Sequence, residues 1–315
     1  AIEPWVATEG LALVDELKPQ FVAKQEAIKN YRAQLPKSLT ELEAWIAKTR
    51  GDLASGAPTT SVPAIPTTPD GGWSSMYNAM IHPIVRFPIK GALWYQGESN
   101  GGEGVTYYDK MRALIGGWRK QWGQGNFPFY FVQLANFQAV TEDPAGGNGW
   151  AKLREAQTKS LTIPNTGMAV IIDTVPFAER DDIHPRNKYD VGLRLAHWAL
   201  GRDYGQKQLE VSGPLFKSLK VEGGKACLAF EHTGTGLMVG KKEGRVPAVE
   251  NKGAKLKSFA IAGADKKWFW AEAVIEGKTV TVSSPDVKEP VAVRYAYQMN
   301  PEGANLYNRE GLPAS

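Results

Sequence analysis

Between residues 89 and 205 the chain alternates short apolar runs with longer amphipathic stretches, and few folds accept that pattern. Ile89 to Tyr95, Phe127 to Leu134 and Met168 to Ile172 are mostly apolar or aromatic and too short for buried helices. Each is followed by residues at helical spacing. Tyr108, Met111, Ile115, Trp118 and Trp122 form one stripe, Trp150 to Leu161 reads as a second helix, and Val191, Leu195 and Trp198 line a third. Strand and helix in alternation predict a parallel sheet covered on both faces, with Ile89 to Tyr95 buried on both sides. Ligands of such sheets bind at the carboxyl ends of the strands.

Polar residues gather at one such end. Gln96, Gly97, Glu98, Ser99, Asn100, Gly101 and Gly102 follow the first apolar run directly. Gly97 allows a tight turn that leaves an amide uncovered. Gln96 and Asn100 can donate through their side-chain amides, and ionised Glu98 only accepts. Donors beside a carboxylate suit an oxyanion site. A second polar cluster is Asp181-Asp182-Ile183-His184-Pro185, with Pro185 fitted to the first turn of the next helix. An Asp-x-x-His spacing lets Asp181 accept from Nδ1 of His184 and leaves Nε2 as a general base. Spacing alone equally fits a histidine that merely precedes a helix.

Trp94-Tyr95-Gln96-Gly97-Glu98-Ser99-Asn100 resembles the signature of the sialate O-acetylesterase family, and Asp182-Ile183-His184-Pro185-Arg186-Asn187-Lys188 resembles its last block, in the same order. Tyr77 to Pro83, Phe259 to Asp265 and Val293 to Tyr295 resemble further parts of it. The resemblance implies an SGNH hydrolase: a flavodoxin-like three-layer α/β/α esterase domain, here incomplete, followed by an all-β sandwich-like domain. It implies a serine nucleophile, His184 as base, and Asp181 as its orienting acid. Asp182 and Glu98 are the other candidate acids, since some related acetylesterases use the Glu of this motif. Gln96, Gly97 and Asn100 would shape the oxyanion region. The implied substrate is an acetylated carbohydrate, either sialic acid or a plant polysaccharide, with no metal or organic cofactor. A periplasmic or extracellular location follows from the same resemblance.

The family carries its nucleophile in a Gly-Gln-Ser-Asn or Gly-Asp-Ser block, and no such block occurs in these 315 residues. The expectation is a chain that has lost an upstream segment carrying that block and is inactive alone. One alternative lies within the chain. Gly97-Glu98-Ser99-Asn100-Gly101 satisfies the Gly-x-Ser-x-Gly nucleophile elbow of α/β-hydrolases, with Asp181 and His184 later in the right order. Against it, Gly101 to Val105 intervene before the helix. A second alternative is a carbohydrate-binding protein without catalysis.

The remaining chain frames this core. Residues 1–205 are assigned to the esterase domain and 206–315 to the β-rich domain. Residues 11–34 and the segment after Ser38-Leu39-Thr40-Glu41, a capping box, predict a helical hairpin inserted at about 11–50. Pro58, Pro63, Pro66 and Pro69 predict an irregular loop over 51–72. After Gly205, paired alternating runs flank Gly223-Gly224 and Glu276-Gly277, which predicts β-hairpins, one strand of them running from Trp268 to Ile275. Net charge is only +4 with scattered signs, which points to neither nucleic acid nor a membrane surface. Cys227 is the single cysteine, excluding an internal disulfide. No apolar run reaches the roughly 20 residues of a membrane span. His82, His197 and His232 stand in no comparable motif.

Overall fold

The computed structural model describes residues 1–69 and 71–315. The chain forms two compact units. One contains Glu3–Phe87 and Arg112–Gly123; the other contains Ala1–Ile2, Pro88–Met111 and Gln124–Ser315.

The first unit holds α1 (Thr8–Leu11) and α2 (Lys18–Ser55). The predicted hairpin is instead one helix of 38 residues, with Pro36 and the supposed capping box inside it. Gly56, with φ of 72°, ends it in the left-handed conformation that suits glycine. The proline-rich loop after it carries no strand or helix over residues 57–69, and it is held to α2 by side chains. Trp45 Nε1 donates to the Thr60 carbonyl at 2.9 Å, and Lys24 Nζ reaches the carbonyls of Pro69 and Trp73 at 3.2 and 2.5 Å. Helix α3 (Thr106–Trp122) runs from one unit into the other.

The second unit contains a parallel sheet of β1 (Ala92–Trp94), β2 (Phe129–Val132) and β3 (Thr166–Ala169), ordered β1-β2-β3. Register pairs Trp94 with Phe131 and Phe131 with Met168. Strand β2 is central and wholly buried. Strand β1 is at the edge, so the expectation of burial on both faces fails there: Leu93 is 64% exposed. Helices α4 (Gly149–Lys159) and α5 (Lys188–Arg202) follow β2 and β3. Val191, Leu195 and Trp198 of α5 pack on Tyr130, Val132 and Ala169 of the sheet, as their spacing predicts. Gly167 makes room for this, because a Cβ there would lie 2.4 Å from the Trp198 ring.

The C-terminal region is all antiparallel β. Its elements are β4 (Leu215–Glu222), β5 (Lys225–Glu231), β6 (Leu237–Lys241), β7 (Val249–Glu250), β8 (Phe259–Ala262), β9 (Trp268–Trp270), β10 (Glu272–Glu276), β11 (Thr279–Ser283), β12 (Ala292–Tyr295) and β13 (Leu306–Asn308). They form sheets ordered β10-β11-β5-β4, β12-β8-β9 and β13-β6-β7. The run Trp268 to Ile275 is not one strand. At Ala271, whose N–H donates to the Phe259 carbonyl, the chain passes from β9 in one sheet to β10 in another. Leu228, Leu237, Phe259, Ile261, Val280, Val282 and Leu306 share one core that joins the three sheets. An α/β region with a parallel sheet is thus followed by an all-β region.

Candidate active site

Both polar clusters lie at the carboxyl ends of strands or in the loops beyond them. After β1, residues Glu98–Asn100 form a short 3-10 turn, while α3 begins only at Thr106. Asn100, 2% exposed, organises this turn. Its Oδ1 accepts from Ile2 N at 3.0 Å and from Gln96 Nε2 at 2.9 Å, and its Nδ2 donates to Glu103 Oε1 at 2.9 Å. Tyr107 OH lies 3.0 Å from both the carbonyl and Oε1 of Gln96. The amides of Gln96 and Asn100 therefore hold the loop in shape from within.

Gly97 is buried where two neighbours crowd it. A Cβ there would meet Leu134 at 3.0 Å and Gln157 Nε2 at 3.2 Å. Gln157 sits beneath, accepting from Leu134 N at 2.9 Å and donating to Val132 O at 3.1 Å. It reaches the Gln96 carbonyl at 3.5 Å. This side chain, on the inner face of α4, joins the ends of β1 and β2. Glu98 is half-buried and Ser99 exposed. Neither side chain has a hydrogen-bond partner among the described residues.

The His184 loop is held differently. Asp182 Oδ1 accepts from His184 N at 2.9 Å, and its other oxygen lies 3.6 Å from Arg186 Nε. Asp182 is thus turned back on its own loop. Asp181 and His184 are both exposed. Among the described residues the His184 ring makes no hydrogen bond to Asp181, Asp182 or Glu98. Helix α5 then starts at a cap in which Asn187 accepts from Asp190 N at 3.2 Å.

The two clusters are tied through their flanks. Lys188 Nζ, four residues after His184, sits 4.6 Å from the centre of the Tyr95 ring and 3.5 Å from its hydroxyl. Tyr95 immediately precedes Gln96 and packs against the α5 core. Burial, with the Glu98 charge adding to it, raises the Tyr95 phenol pKa, so it stays protonated.

Several residues of consequence carried no motif. Arg154, 5% exposed, donates to the carbonyls of Ala135, Ala296, Gln298 and Met299, tying the β2 end to the loop after β12. Burial pushes its guanidinium pKa down to about 10, which leaves it charged at neutral pH. Asp173, after β3, is held by Arg194 at 2.6 and 2.8 Å and by Tyr307 OH at 3.1 Å. Among the described residues it is His232 that has a carboxylate partner, its Nδ1 lying 2.7 Å from Glu210 Oε1. The two are 22 residues apart, and no short spacing announces them. No group of three or more His, Cys, Asp or Glu suited to a metal exists among the described residues.

Residues 63–200 match the model of a carbohydrate esterase family, the sialic acid-specific acetylesterases. The span contains both polar clusters. Over these residues the chain is similar to the sialate O-acetylesterases. The enzyme of that name from Rattus norvegicus is 36% identical over 178 residues, covering 51% of this chain and 32% of its own length. The one from Homo sapiens is 33% identical over 226 residues, covering 66% of this chain and 42% of its own. A crystal structure of a carbohydrate acetylesterase from Xanthomonas citri superposes with a TM-score of 0.67 at 45% identity, over 76% of this chain and 52% of that one. The chain thus spans about a third to two-fifths of these curated relatives and about half of the solved chain.

Proposed function

We propose that this chain supplies the general base and the oxyanion-shaping loop of a carbohydrate O-acetylesterase. A serine attacks the acetyl carbonyl, His184 Nε2 takes its proton, and Asp181 accepts from Nδ1 once the ring turns toward it. Gln96, Gly97 and Asn100 shape the loop beside the developing oxyanion, and water then releases acetate. The observation that carries this reading is the Tyr95–Lys188 contact, which links the flank of the Gln-Gly-Glu turn to the flank of the His184 loop. Asp181 is preferred over Asp182 because the Asp182 carboxylate already serves its own loop. Glu98 is the other free carboxylate and the fallback acid.

In this reading the nucleophile is a serine outside these 315 residues. Support comes from the greater length of the relatives beyond the matched span. Ser99 is the alternative within the chain. It stands on a 3-10 turn separated from α3 by Gly101 to Val105, whereas a nucleophile elbow runs straight into its helix. The substrate is an acetylated sugar, and the location periplasmic or extracellular. Among the described residues no helix is long and apolar enough to cross a membrane.

The test compares this chain with a longer protein that includes the upstream serine block, on 4-nitrophenyl acetate and on acetylated sugars. Turnover is expected only from the longer protein and lost on His184→Ala. Turnover by the 315-residue chain, abolished by Ser99→Ala, would overturn the assignment of the nucleophile.

A further inference from the structure

Of the 38 residues of α2, only Lys24 is buried. Its second half nevertheless carries an apolar stripe. Leu35, Leu39, Leu42, Ile46, Thr49 and Leu53 follow one another at spacings of four and three, the pattern of a coiled-coil seam. Trp45 marks the side of the helix that the proline-rich loop takes, through the bond from its Nε1 to the Thr60 carbonyl. Leu35, Leu42 and Thr49 are half-buried. Leu39, Ile46 and Leu53, one heptad apart along the other side of the seam, are 49%, 37% and 67% exposed. A long helix draws most of its stability from packing an apolar face, so a stripe of this kind suits a second helix.

The charges beside the stripe select that helix. Between Leu35 and Leu53 there are three basic and three acidic residues, a balance that favours neither a strongly acidic nor a strongly basic partner. Lys37 pairs with Glu41, and Lys48 with Asp52, along the helix itself. Glu43 and Arg50 are left, both exposed and in no ion pair among the described residues. They stand seven residues apart on one flank of the stripe, the flank away from Trp45. In an antiparallel pair of helices each flank faces the same flank of the other helix. Two copies of α2 so arranged bring Glu43 of each beside Arg50 of the other. A parallel pair would turn this flank toward Trp45 and the loop, and both charges would lack a partner.

We propose that α2 is a self-association surface, on which two copies of this chain pair their helices antiparallel. The helices cross near Ala47, with Ile46 of both copies at the centre and Leu42 of one against Leu53 of the other. Glu43 and Arg50 close the contact at both ends. A single helix touching over about 28 Å belongs to the small class of interfaces, below about 1,200 Å2 in total, which marks a reversible dimer. A dissociation constant of about 10–100 µM is expected. Nothing in this pairing depends on the acetylesterase reading.

Sedimentation velocity of the full 315-residue chain, over a range of about 1 to 300 µM that brackets the expected constant, reads the association. A reversible shift from monomer to dimer is expected. Ile46→Asp sets two carboxylates together at the crossing and should weaken the dimer at least about tenfold. Glu43→Arg and Arg50→Glu each place like charges side by side, and each should weaken it about three- to tenfold. The two together restore opposite signs at both ends and should return association to the strength of the parent. These two side chains are exposed, so folding is not at stake, and the rescue separates this pairing from a contact elsewhere on the surface. Val22→Asp is the control. Val22 is 58% exposed on α2 but lies about a third of a turn off the stripe, and association should not change. A chain that stays monomeric to the top of the range, a dimer indifferent to Ile46→Asp, or a double charge reversal no stronger than the single ones each overturns the proposal. So does a dimer that vanishes in a longer protein with upstream sequence, because the stripe would then be the seat of that added segment.

Discussion

Asp181 and Asp182 are neighbours in the chain with different surroundings, and that difference sets the first prediction. Asp182 accepts the His184 amide and faces Arg186, whereas Asp181 is exposed and its carboxylate uncommitted. In the active protein Asp181→Asn should lower kcat by about 10²–10⁴-fold with KM little changed, because an amide cannot hold the imidazole in the required tautomer. Asp182→Asn keeps an oxygen for the His184 amide, so steady-state kinetics should show a loss under roughly tenfold. The reverse ranking would transfer the orienting role to Asp182. Gly97 gives a second residue-scale test. Its φ of 165° lies outside the left-handed region, and a side chain there would lack space. Gly97→Ala should cost about 1–3 kcal/mol by overpacking against Leu134 and Gln157, read as a lower urea midpoint with unchanged slope. Unchanged stability would mean that the loop yields freely. At this scale the two polar clusters were legible, because unusual residues stood together. Asn136, Gln157 and Arg154 were not. Their importance comes from partners 19 to 164 positions away, and no local spacing encodes such contacts.

Elements were legible where burial repeats with a helical or strand period. The α5 stripe of Val191, Leu195 and Trp198 and the wholly buried β2 follow directly from their sequences. Two elements were misread, each for a physical reason. In α2, Pro36 and the Ser38 to Glu41 pattern mimic a helix start. Yet a proline removes one backbone hydrogen bond and clashes with one turn, and the remaining length of a 38-residue helix can absorb that. The side chains of Lys24 and Trp45 also pin both halves of α2 to the following loop. It follows that Pro36→Ala should stabilise the first unit by about 1–3 kcal/mol, offset in part by the freer unfolded chain. Thermal melts followed by circular dichroism at 222 nm provide the check; a lower melting temperature would mean that the proline fits a kink the helix needs. The strand Trp268 to Ile275 was misread because alternation describes a strand's faces and says nothing of a switch between sheets at Ala271.

At the scale of the whole molecule, the all-β region reaches the α/β region through a buried ion pair. Lys242, just past β6, meets Asp190 in the first turn of α5 at 2.7 Å, and both side chains are 6% exposed. Lys242 Nζ also donates to Gly244 O at 2.6 Å, and Asn187 Nδ2 reaches the same carbonyl at 3.3 Å. The pair thus anchors the start of the helix that follows the His184 loop. Lys242→Met leaves a buried carboxylate without a counter-charge, so it should cost about 3–5 kcal/mol. Replacing both partners, Lys242→Met with Asp190→Leu, removes the orphan charge, and much of that loss should return. The amide cap at Asn187 loses its Asp190 carboxylate partner in the double variant, so the recovered stability should not bring full activity with it. In the active protein, kcat should remain depressed in the double variant after stability has recovered. Urea unfolding of all three variants beside the parent, paired with steady-state kinetics, reads both quantities. Equal loss in the single and double variants would assign the energy to packing rather than charge. Full activity in the double variant would show that the helix start does not position His184.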